Sequence, residues 1–376
     1  MTSSLQVSKE GHQADQARVR DLNSLAVKGL VPMFDPQNQL FCERLKLTKK
    51  GLKKEGLSPR YTLMTLMGLH KGERYGLRNP FDSRAIMNGL LASTAWPDNI
   101  GDLGLLLWLC ALMAPEQYEE VYQSFNVANA LGHYRDVREG PTMELAWFLS
   151  GLAHGAMAGY GNISGLSDLA HVSFDLIKQN QGRNGVFGHL ASHRGIVAAL
   201  RGHLGSFADQ VYPIYALSKF GRAFGNDEAL QSAQECAQTI CEFQGPLGQW
   251  WWHYDSQTGR VVGKYPVFSV HQDAMAPLAL FALGESTKQD YTSYIFKGLA
   301  WIYGGNELNR NLCETSTNIV WRSIYLPKPK SYIVRAGSLL GFAPETAAPS
   351  GLRIDFEDRP YHFGWVLYAF AQYGFA

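Results

Sequence analysis

A weak internal repeat constrains the fold of this 376-residue sequence more than any other feature. Six segments share one plan, in which a polar or charged residue precedes an apolar stretch rich in Leu, Ala and aromatic residues. The six anchors are Arg60, Asp102, Glu144, Asp209, Asp273 and Asp358. Apolar residues recur at helical spacing after them, and a second, more amphipathic segment lies between most of them. The sequence therefore predicts helix pairs.

Six apolar helices that alternate with six amphipathic ones predict an all-α fold, an (α/α)6 toroid with the apolar helices as its inner ring. The candidate helices are 14–30, 59–71, 83–93, 101–113, 116–131, 141–157, 164–180, 191–203, 207–221, 226–243, 271–284, 289–303 and 359–373. Helix 14–30 would close the ring beside helix 359–373. A helical solenoid also alternates helix pairs, but its repeats are usually more regular in length.

The predicted helices leave two kinds of segment outside the repeat. We predict one domain over 1–376 with a long loop at 325–355, which would be either a lid over the cavity or a surface excursion. Val261-Val262 and Tyr265 to Val270 are expected as short extended pieces. Pro277 falls inside the candidate 271–284, so that helix would begin there or kink.

Composition and charge limit the classes of partner that this chain is expected to bind. Lys and Arg total 34 and Asp and Glu total 33, a net charge of +1 that offers no electrostatic footprint for nucleic acid. The longest apolar run, Leu103 to Met113, is shorter than the roughly 20 residues of a membrane span. The N-terminus has no apolar signal-peptide segment, and the cysteines are scattered, so a cytoplasmic protein with reduced thiols is expected. We predict no metal and no cofactor, and a small molecule or oligosaccharide as the partner.

Two loops before inner helices repeat a short motif. Gln181 to Phe187 fits QxxxGxF, and Gln244 to Trp250 fits QxxxGxW. The second resembles the QW repeat of the squalene cyclase and protein prenyltransferase toroids. That resemblance implies that the Gln caps a helix end and that the aromatic ring stacks against it. Together with the helix pairs, it places the chain near the α/α-toroid superfamily, which also includes the six-hairpin glycosidases. Such motifs indicate architecture rather than reaction.

In a toroid, the N-terminal ends of the inner helices meet at one mouth of the central cavity. We expect Glu144 and Asp273 to form an acid/base pair there, with His271 assisting. The predicted substrate-binding residues are Arg60, Tyr61, Tyr212, Trp251, Arg359 and His362. Aromatic rings stack on sugar faces, and Trp251 belongs to a run of three Trp. The alternative for each carboxylate is a helix cap or a dipole partner.

A second acidic cluster suggests different chemistry. Asp355-Phe356-Glu357-Asp358 resembles the DxDD motif of class II terpene cyclases, in which the middle Asp protonates an alkene or an epoxide. Here Glu357 takes that place, with Asp355 and Asp358 in support. Because mutual repulsion raises at least one pKa in such a cluster, it suits an acid catalyst. The flanking Arg353 and Arg359 equally fit a salt-bridged helix start.

Three functions remain open. A carbohydrate-active enzyme of hydrolase, lyase or epimerase type is favoured, because charges at the inner-helix starts would be costly to desolvate around a hydrocarbon. The terpenoid cyclase is the alternative that the acidic cluster favours. The third possibility is a non-catalytic ligand-binding toroid, which would keep the cavity but tolerate loss of the carboxylates.

Overall fold

The computed structural model describes residues 2–137, 140–190, 202–328 and 349–375. Its α-helices in these ranges are α1 Thr2–Leu30, α2 Pro59–Glu73, α3 Ser83–Leu91, α4 Ile100–Met113, α5 Tyr118–Ser124, α6 Val127–Ala130, α7 Gly132–Val137, α8 Thr142–Gly155, α9 Leu166–Gln179, α10 Ala208–Phe224, α11 Asp227–Glu242, α12 Ala276–Thr287, α13 Thr292–Ile302 and α14 Pro360–Phe370. None of the described helices is long and apolar enough to cross a membrane.

Six helices form a closed inner ring. Within the described ranges, α2, α4, α8, α10, α12 and α14 contact one another in that order, and α14 returns to α2. The helices α1, α3, α5, α9, α11 and α13 pack outside α14, α2, α4, α8, α10 and α12, respectively. The predicted (α/α)6 toroid is therefore confirmed, including the closure of α1 beside α14. Each anchor of the repeat lies in the first turn of an inner helix or just before it, because an apolar stretch after a polar residue marks a helix start.

Glycines let two pairs of inner helices touch through their backbones. A Cβ atom on Gly68 of α2 would lie 2.0 Å from the carbonyl oxygen of Gly364 in α14. A Cβ atom on Gly151 of α8 would lie 2.3 Å from the carbonyl oxygen of Gly104 in α4. Only a residue without a side chain fits such contacts, so these glycines set how closely the ring packs.

Among the described residues, short strands form five small sheets at the ends of the helices. The strands are β1 Phe34–Asp35, β2 Leu40–Phe41, β3 Arg44–Thr48, β4 Gly51–Glu55, β5 Leu204–Ser206, β6 His253–Asp255, β7 Arg260–Gly263, β8 Val267–Phe268, β9 Cys313–Glu314, β10 Ile319–Val320, β11 Ser323–Tyr325, β12 Arg353–Asp355 and β13 Glu357–Asp358. Strand β7 confirms the extended piece expected at Val261-Val262. Strand β8 covers the middle of the expected piece Tyr265 to Val270, whose last two residues are helical. The antiparallel orders β13-β3-β4, β12-β11-β8 and β5-β6-β7 were not predicted.

Several expected elements have different bounds. The candidate helix 116–131 is divided, since a 3₁₀ turn at Pro115–Gln117 precedes α5 and left-handed Asn126, with φ 50°, separates α5 from α6. In the candidate 271–284, a π-helical turn, His271–Met275, leads directly into α12, and Pro277 is the second residue of that helix. Residues 191–201 of the candidate 191–203 lie outside the described residues. So do residues 329–348 of the predicted loop 325–355, whose two ends are the paired strands β11 and β12.

The two Gln motifs have the same local geometry. Gln181 donates to the carbonyl oxygen of Gly185, four residues on, and to that of Ser232 in α11, both at 3.0 Å. Gln244 donates to the carbonyl oxygens of Gly248 at 3.2 Å and of Tyr294 in α13 at 2.9 Å. Each Gln therefore closes its own loop and attaches it to the next outer helix. This geometry concerns architecture, and the link to the cyclase family stays a prediction.

Candidate active site

A cavity of about 210 Å³ lies at the N-terminal ends of the inner helices. Its walls combine aromatic, apolar and cationic side chains. Inner helices and the π-helical turn supply Arg60, Tyr61, Met64, Met143, Trp147, Ala208, Tyr212, His271, Met275 and Tyr361, and the connecting segments supply Ser206, Trp252, Phe268, Val270 and Arg322. Residues far apart in sequence thus meet at one mouth, as the toroid predicted.

Two guanidinium groups are fixed in the wall. Arg60 makes a bidentate ion pair with buried Asp102, with N···O distances of 2.5 and 2.9 Å. Arg322 donates from Nη1 to Glu357, and its buried Nε has no hydrogen-bond partner among the described residues. The Arg322 guanidinium lies 5.1 Å from the ring centre of Phe268. Because carboxylates already hold these arginines in place, the groups are pre-organised to receive an anionic ligand.

His271 presents a neutral imidazole to the cavity. Its ring lies 4.6 Å from that of Phe207 and 5.1 Å from that of Phe268, between centres. Burial, with a further contribution from the positive charge of Arg322, lowers the pKa of His271 to about 3. Its buried Nδ1 has no partner among the described residues. The side chain is therefore suited to a hydrogen bond with a ligand rather than to carrying charge.

Glu144 is a half-buried carboxyl group beside this cavity, in the first turn of α8 between the lining residues Met143 and Trp147. The Tyr134 hydroxyl lies 3.3 Å from its Oε2. Burial raises the pKa of Glu144, opposed by the Tyr134 hydrogen bond and then by the charge of Arg60. A carboxyl group with a raised pKa next to a ligand cavity is suited to proton transfer.

The next inner helix contributes an acid–imidazole pair. Asp209 of α10 accepts hydrogen bonds from the backbone nitrogen of Ser206 at 2.8 Å and from its hydroxyl at 2.9 Å. Nδ1 of exposed His189 lies 3.4 Å from Oδ2 and 3.5 Å from Oδ1 of this carboxylate. The contact with Asp209 raises the pKa of His189. The charges of His189 and Glu144 also act on each other, so α8 and α10 carry one connected set of titratable groups.

Across the ring, Asp273, His362 and Asp358 form a buried triad. Nε2 of His362 lies 2.7 Å from Asp273 Oδ1, and its Nδ1 lies 3.6 Å from Asp358 Oδ1. Burial alone would lower the pKa of His362, but the two carboxylates raise it to about 10. Burial raises the pKa values of both carboxyl groups. None of the three is among the described residues that line the cavity, and together they join the π-helical turn to α14.

Glu357 is the centre of an arginine cluster. It accepts hydrogen bonds from Arg322 at 2.5 Å, from Arg359 at 2.8 Å and from Arg44 at 3.3 Å. Arg359 in turn donates to the Tyr61 hydroxyl at 2.8 Å. Glu357 is 4% exposed and is not among the described cavity-lining residues. This geometry makes it the counter-ion of three guanidinium groups rather than an unpaired acid facing a substrate.

The structure separates the sequence-predicted site residues into groups. Arg60, Tyr61, Tyr212 and His271 line the cavity. Glu144 is not among the described lining residues, but it lies between two of them in sequence, Met143 and Trp147, in the first turn of α8. Asp273, Asp358 and His362 form the buried triad, while Glu357 and Arg359 belong to the arginine cluster. Trp251 is buried and donates to the Phe243 carbonyl oxygen at 2.8 Å, and its neighbour Trp252 lines the cavity instead. The catalytic and binding roles of these residues stay predictions.

The sequence analysis predicted four of the fifteen described lining residues, and four of those that it missed are instructive. Trp147 and Tyr361 stand directly in the repeat segments at the starts of inner helices, so the repeat itself could have indicated them. Trp252 belongs to the Trp run, where sequence does not reveal which ring faces inward. Arg322 follows β10 without any motif, so sequence offered no signal for it. Across the described ranges, no group of three or more His, Cys, Asp or Glu could hold a metal ion.

Comparison with solved structures identifies the closed ring as a known fold. An unsaturated glucuronyl hydrolase specific for heparin has a TM-score of 0.60 and 13% identity over 95% of this chain and 97% of its own. The unsaturated glucuronyl hydrolase from Bacillus sp. GL1, described as responsible for glycosaminoglycan degradation, has a TM-score of 0.59 and 14% identity. The match covers 95% of this chain and 96% of that enzyme. The chain shares the (α/α)6 toroid fold of these enzymes.

A third structure carries a ligand. It is a mutant unsaturated glucuronyl hydrolase from Streptococcus agalactiae in complex with dGlcA-GalNAc6S, with a TM-score of 0.62 and 11% identity over 95% of this chain and 91% of its own. No protein-family model matches the sequence, and no curated protein matches it either. At such identities the likeness concerns the fold alone.

Proposed function

We propose that this chain is a carbohydrate-active enzyme that binds a terminal acidic sugar in the cavity and acts on it by acid–base catalysis. The observation that carries the proposal is the pairing of two anchored guanidinium groups, Arg60 and Arg322, with aromatic walls. Aromatic rings stack on the apolar faces of a sugar, and guanidinium groups bind its carboxylate. The cavity of about 210 Å³ is below the range of drug-sized pockets, which suits one sugar ring rather than a chain.

The neighbours suggest a first substrate to try. These neighbours are unsaturated glucuronyl hydrolases, and one of them is in complex with dGlcA-GalNAc6S. A uronate combines the apolar ring face and the carboxylate that this cavity would recognise. We therefore propose an oligosaccharide with an unsaturated uronate at its non-reducing end, and a hydrolase rather than a lyase or an epimerase.

Glu144 is the proposed general acid. Burial raises the pKa of this half-buried carboxyl group, which favours the protonated form that a general acid needs, and the Tyr134 hydroxyl donates a hydrogen bond to its Oε2. His189, together with Asp209 in the first turn of the next inner helix α10, is the proposed second titratable group. Asp273 is fully buried against His362, so we assign it a positioning role through the ring rather than contact with substrate.

The test is turnover of matched sugars by the purified protein. We would incubate it with disaccharides that end in an unsaturated uronate, a saturated uronate or a neutral sugar. Loss of the ultraviolet absorbance of the conjugated double bond reports reaction of the first, and chromatography reports the other two. We expect turnover of the unsaturated uronate, no turnover of the neutral sugar, and a 10²- to 10⁴-fold lower kcat for Glu144→Gln.

The control is Glu116→Gln, which changes an exposed glutamate whose nearest ionic partner is Arg84 at 3.4 Å. Its kcat should equal that of the wild type. Uronate binding without turnover by the wild-type protein would indicate the non-catalytic ligand-binding toroid. Equal kcat values for Glu144→Gln and the wild type would show that another group donates the proton.

The terpenoid cyclase alternative gains no support from the site. That chemistry needs an acid that faces an apolar cavity, whereas Glu357 is enclosed by three arginines. Arg60 and Arg322 in the wall would also have to be desolvated around a hydrocarbon, at a large cost.

A further inference from the structure

The β3–β4 hairpin concentrates positive charge in a chain that is otherwise nearly neutral. Residues 44–55 contain Arg44, Lys46, Lys49, Lys50, Lys53 and Lys54 against the single acid Glu55. Strand β4 is the outer strand of its sheet, and its residues 51–54 are exposed. Charged side chains on an edge strand resist aggregation, but this does not explain why six cations are concentrated in one hairpin. The excess of charge calls for a further explanation.

The register of the hairpin places like charges side by side. Lys46 pairs directly with Lys53, and Arg44 pairs with Glu55. Because side chains alternate along a strand, these four share one face of the sheet, which we call the basic face. Lys53 donates to Glu55 at 3.1 Å, and both lysines are exposed. Like charges directly opposite each other destabilise a sheet, so the fold gains nothing from this pair.

The basic face continues into the cavity wall. On its inner side β3 pairs with β13, where Lys46 lies opposite Glu357. Glu357 joins Arg44 on the hairpin to Arg322 in the cavity wall. A continuous set of cationic side chains therefore runs from Arg322 through Arg44 to Lys46 and Lys53. Glu357 and Glu55 neutralise part of this positive charge, but the exposed lysines leave an excess of positive charge on the solvent side.

We propose that the basic face binds the carboxylate or sulfate groups of the part of an anionic glycan that extends beyond the sugar in the cavity. This inference rests on the proposed function, because the cavity must hold the end of the same chain. The positive charge of the basic face favours a polyanion as its ligand. Because the basic face is continuous with Arg322 in the cavity wall, it favours a glycan whose end lies in the cavity. Exposed Leu47 and Leu52 project from the other face of the hairpin, so an anionic membrane surface is the competing occupant.

The test compares two double variants with the same change in charge. Lys46→Gln/Lys53→Gln removes two charges from the basic face. Lys28→Gln/Lys297→Gln removes two exposed lysines from α1 and α13 and serves as the control. The probes are heparin and polygalacturonate, whose binding is measured by calorimetry at 50 and 200 mM salt. Vesicles of phosphatidylcholine with phosphatidylserine are the membrane probe.

We expect the basic-face variant to bind at least one of the two glycans 3- to 30-fold more weakly at low salt than the wild type and the control variant do. Raising the salt concentration should weaken glycan binding by this variant less than it weakens glycan binding by the wild type. Equal affinities for the two variants, no glycan binding by the wild type, or binding to vesicles alone would overturn the inference.

Binding requires no turnover, so failure of the proposed function and failure of this inference are distinguishable. Polyanion binding that depends on Lys46 and Lys53, in a protein that processes no sugar, would leave the basic face supported and the catalytic proposal refuted. If the protein does act on uronates, the rise in KM for the basic-face variant should increase with the length of the anionic substrate. A rise that is independent of length would contradict an extended glycan site.

Discussion

Replacing His362 by Gln should be among the most destabilising changes in the inner ring. The imidazolium lies between Asp273 at 2.7 Å and Asp358 at 3.6 Å, and all three side chains are buried. Removing it leaves two carboxylates facing each other without a counter-charge. Loss of one partner from a buried pair costs about 3–5 kcal/mol, so His362→Gln should lower the free energy of unfolding by that amount.

Asp273→Asn is the matched comparison. It leaves His362 paired with Asp358, and it removes a carboxylate whose Oδ2 has no hydrogen-bond partner among the described residues. Asp273→Asn should therefore lower the free energy of unfolding by less than the roughly 1.5–3 kcal/mol that one charged hydrogen bond contributes, because the neutral Asn side chain no longer places a charge in the interior. The double variant should be more stable than His362→Gln alone, because it holds one uncompensated carboxylate instead of two.

Urea unfolding at pH 7, followed by circular dichroism, measures these differences from the midpoint and the slope. The pH dependence gives a second test. The folded pKa of His362, about 10, exceeds the ordinary value of 6.5, so its stabilisation is complete below pH 6.5 and is lost as the pH rises through 10. The stability gap between wild type and His362→Gln should therefore narrow over this range. Equal costs for His362→Gln and Asp273→Asn, or a gap independent of pH, would refute the reasoning.

Three further predictions concern the ring and its ends. Gly68→Ala should cost about 1–3 kcal/mol in thermal unfolding, because its Cβ would lie 2.0 Å from the backbone of Gly364, whereas Gly89→Ala in α3 meets nothing within 4 Å and should be stabilising. Burial lowers the pKa of Lys71 to about 8, so mass spectrometry should find its amine acylated at pH 8 faster than in the unfolded chain, and an equal or slower rate would contradict this prediction. Asn23→Ala should cost about 1–3 kcal/mol in urea unfolding, since the amide donates to the carbonyl oxygens of Phe370 and Gly374.

Sequence predicted the ring better than the sheets. The six anchors marked helix starts because each polar residue is followed by an apolar face long enough to identify. The hairpin of β3 and β4 was missed, although Arg44 to Thr48 alternates polar and apolar residues and a Lys-Lys-Gly turn follows. Five residues are too short for a convincing strand pattern, and pairing with β13 depends on residues more than 300 positions away.

The site was harder to predict than the fold, for a physical reason. The sequence indicates that Asp273, His362 and Glu357 lie near the starts of inner helices. It does not indicate how deeply each side chain is buried below the cavity surface. Depth depends on how closely the helices pack, which Gly68 and Gly104 control through contacts between distant segments. Arg322 enters the wall because β11 pairs with β8 and β12, a register that no local pattern encodes.

Closure of the ring has a consequence for synthesis of the chain. The last inner helix completes the ring by packing on the first, and the bond from Arg359 to the Tyr61 hydroxyl joins residues 298 positions apart. At 5–20 residues per second, about 15–60 s separate their emergence from the ribosome. During that interval the apolar flank of α2 lacks its final neighbour. The nascent chain would therefore expose apolar surface for most of its translation. Such surface is what chaperones that act during synthesis bind.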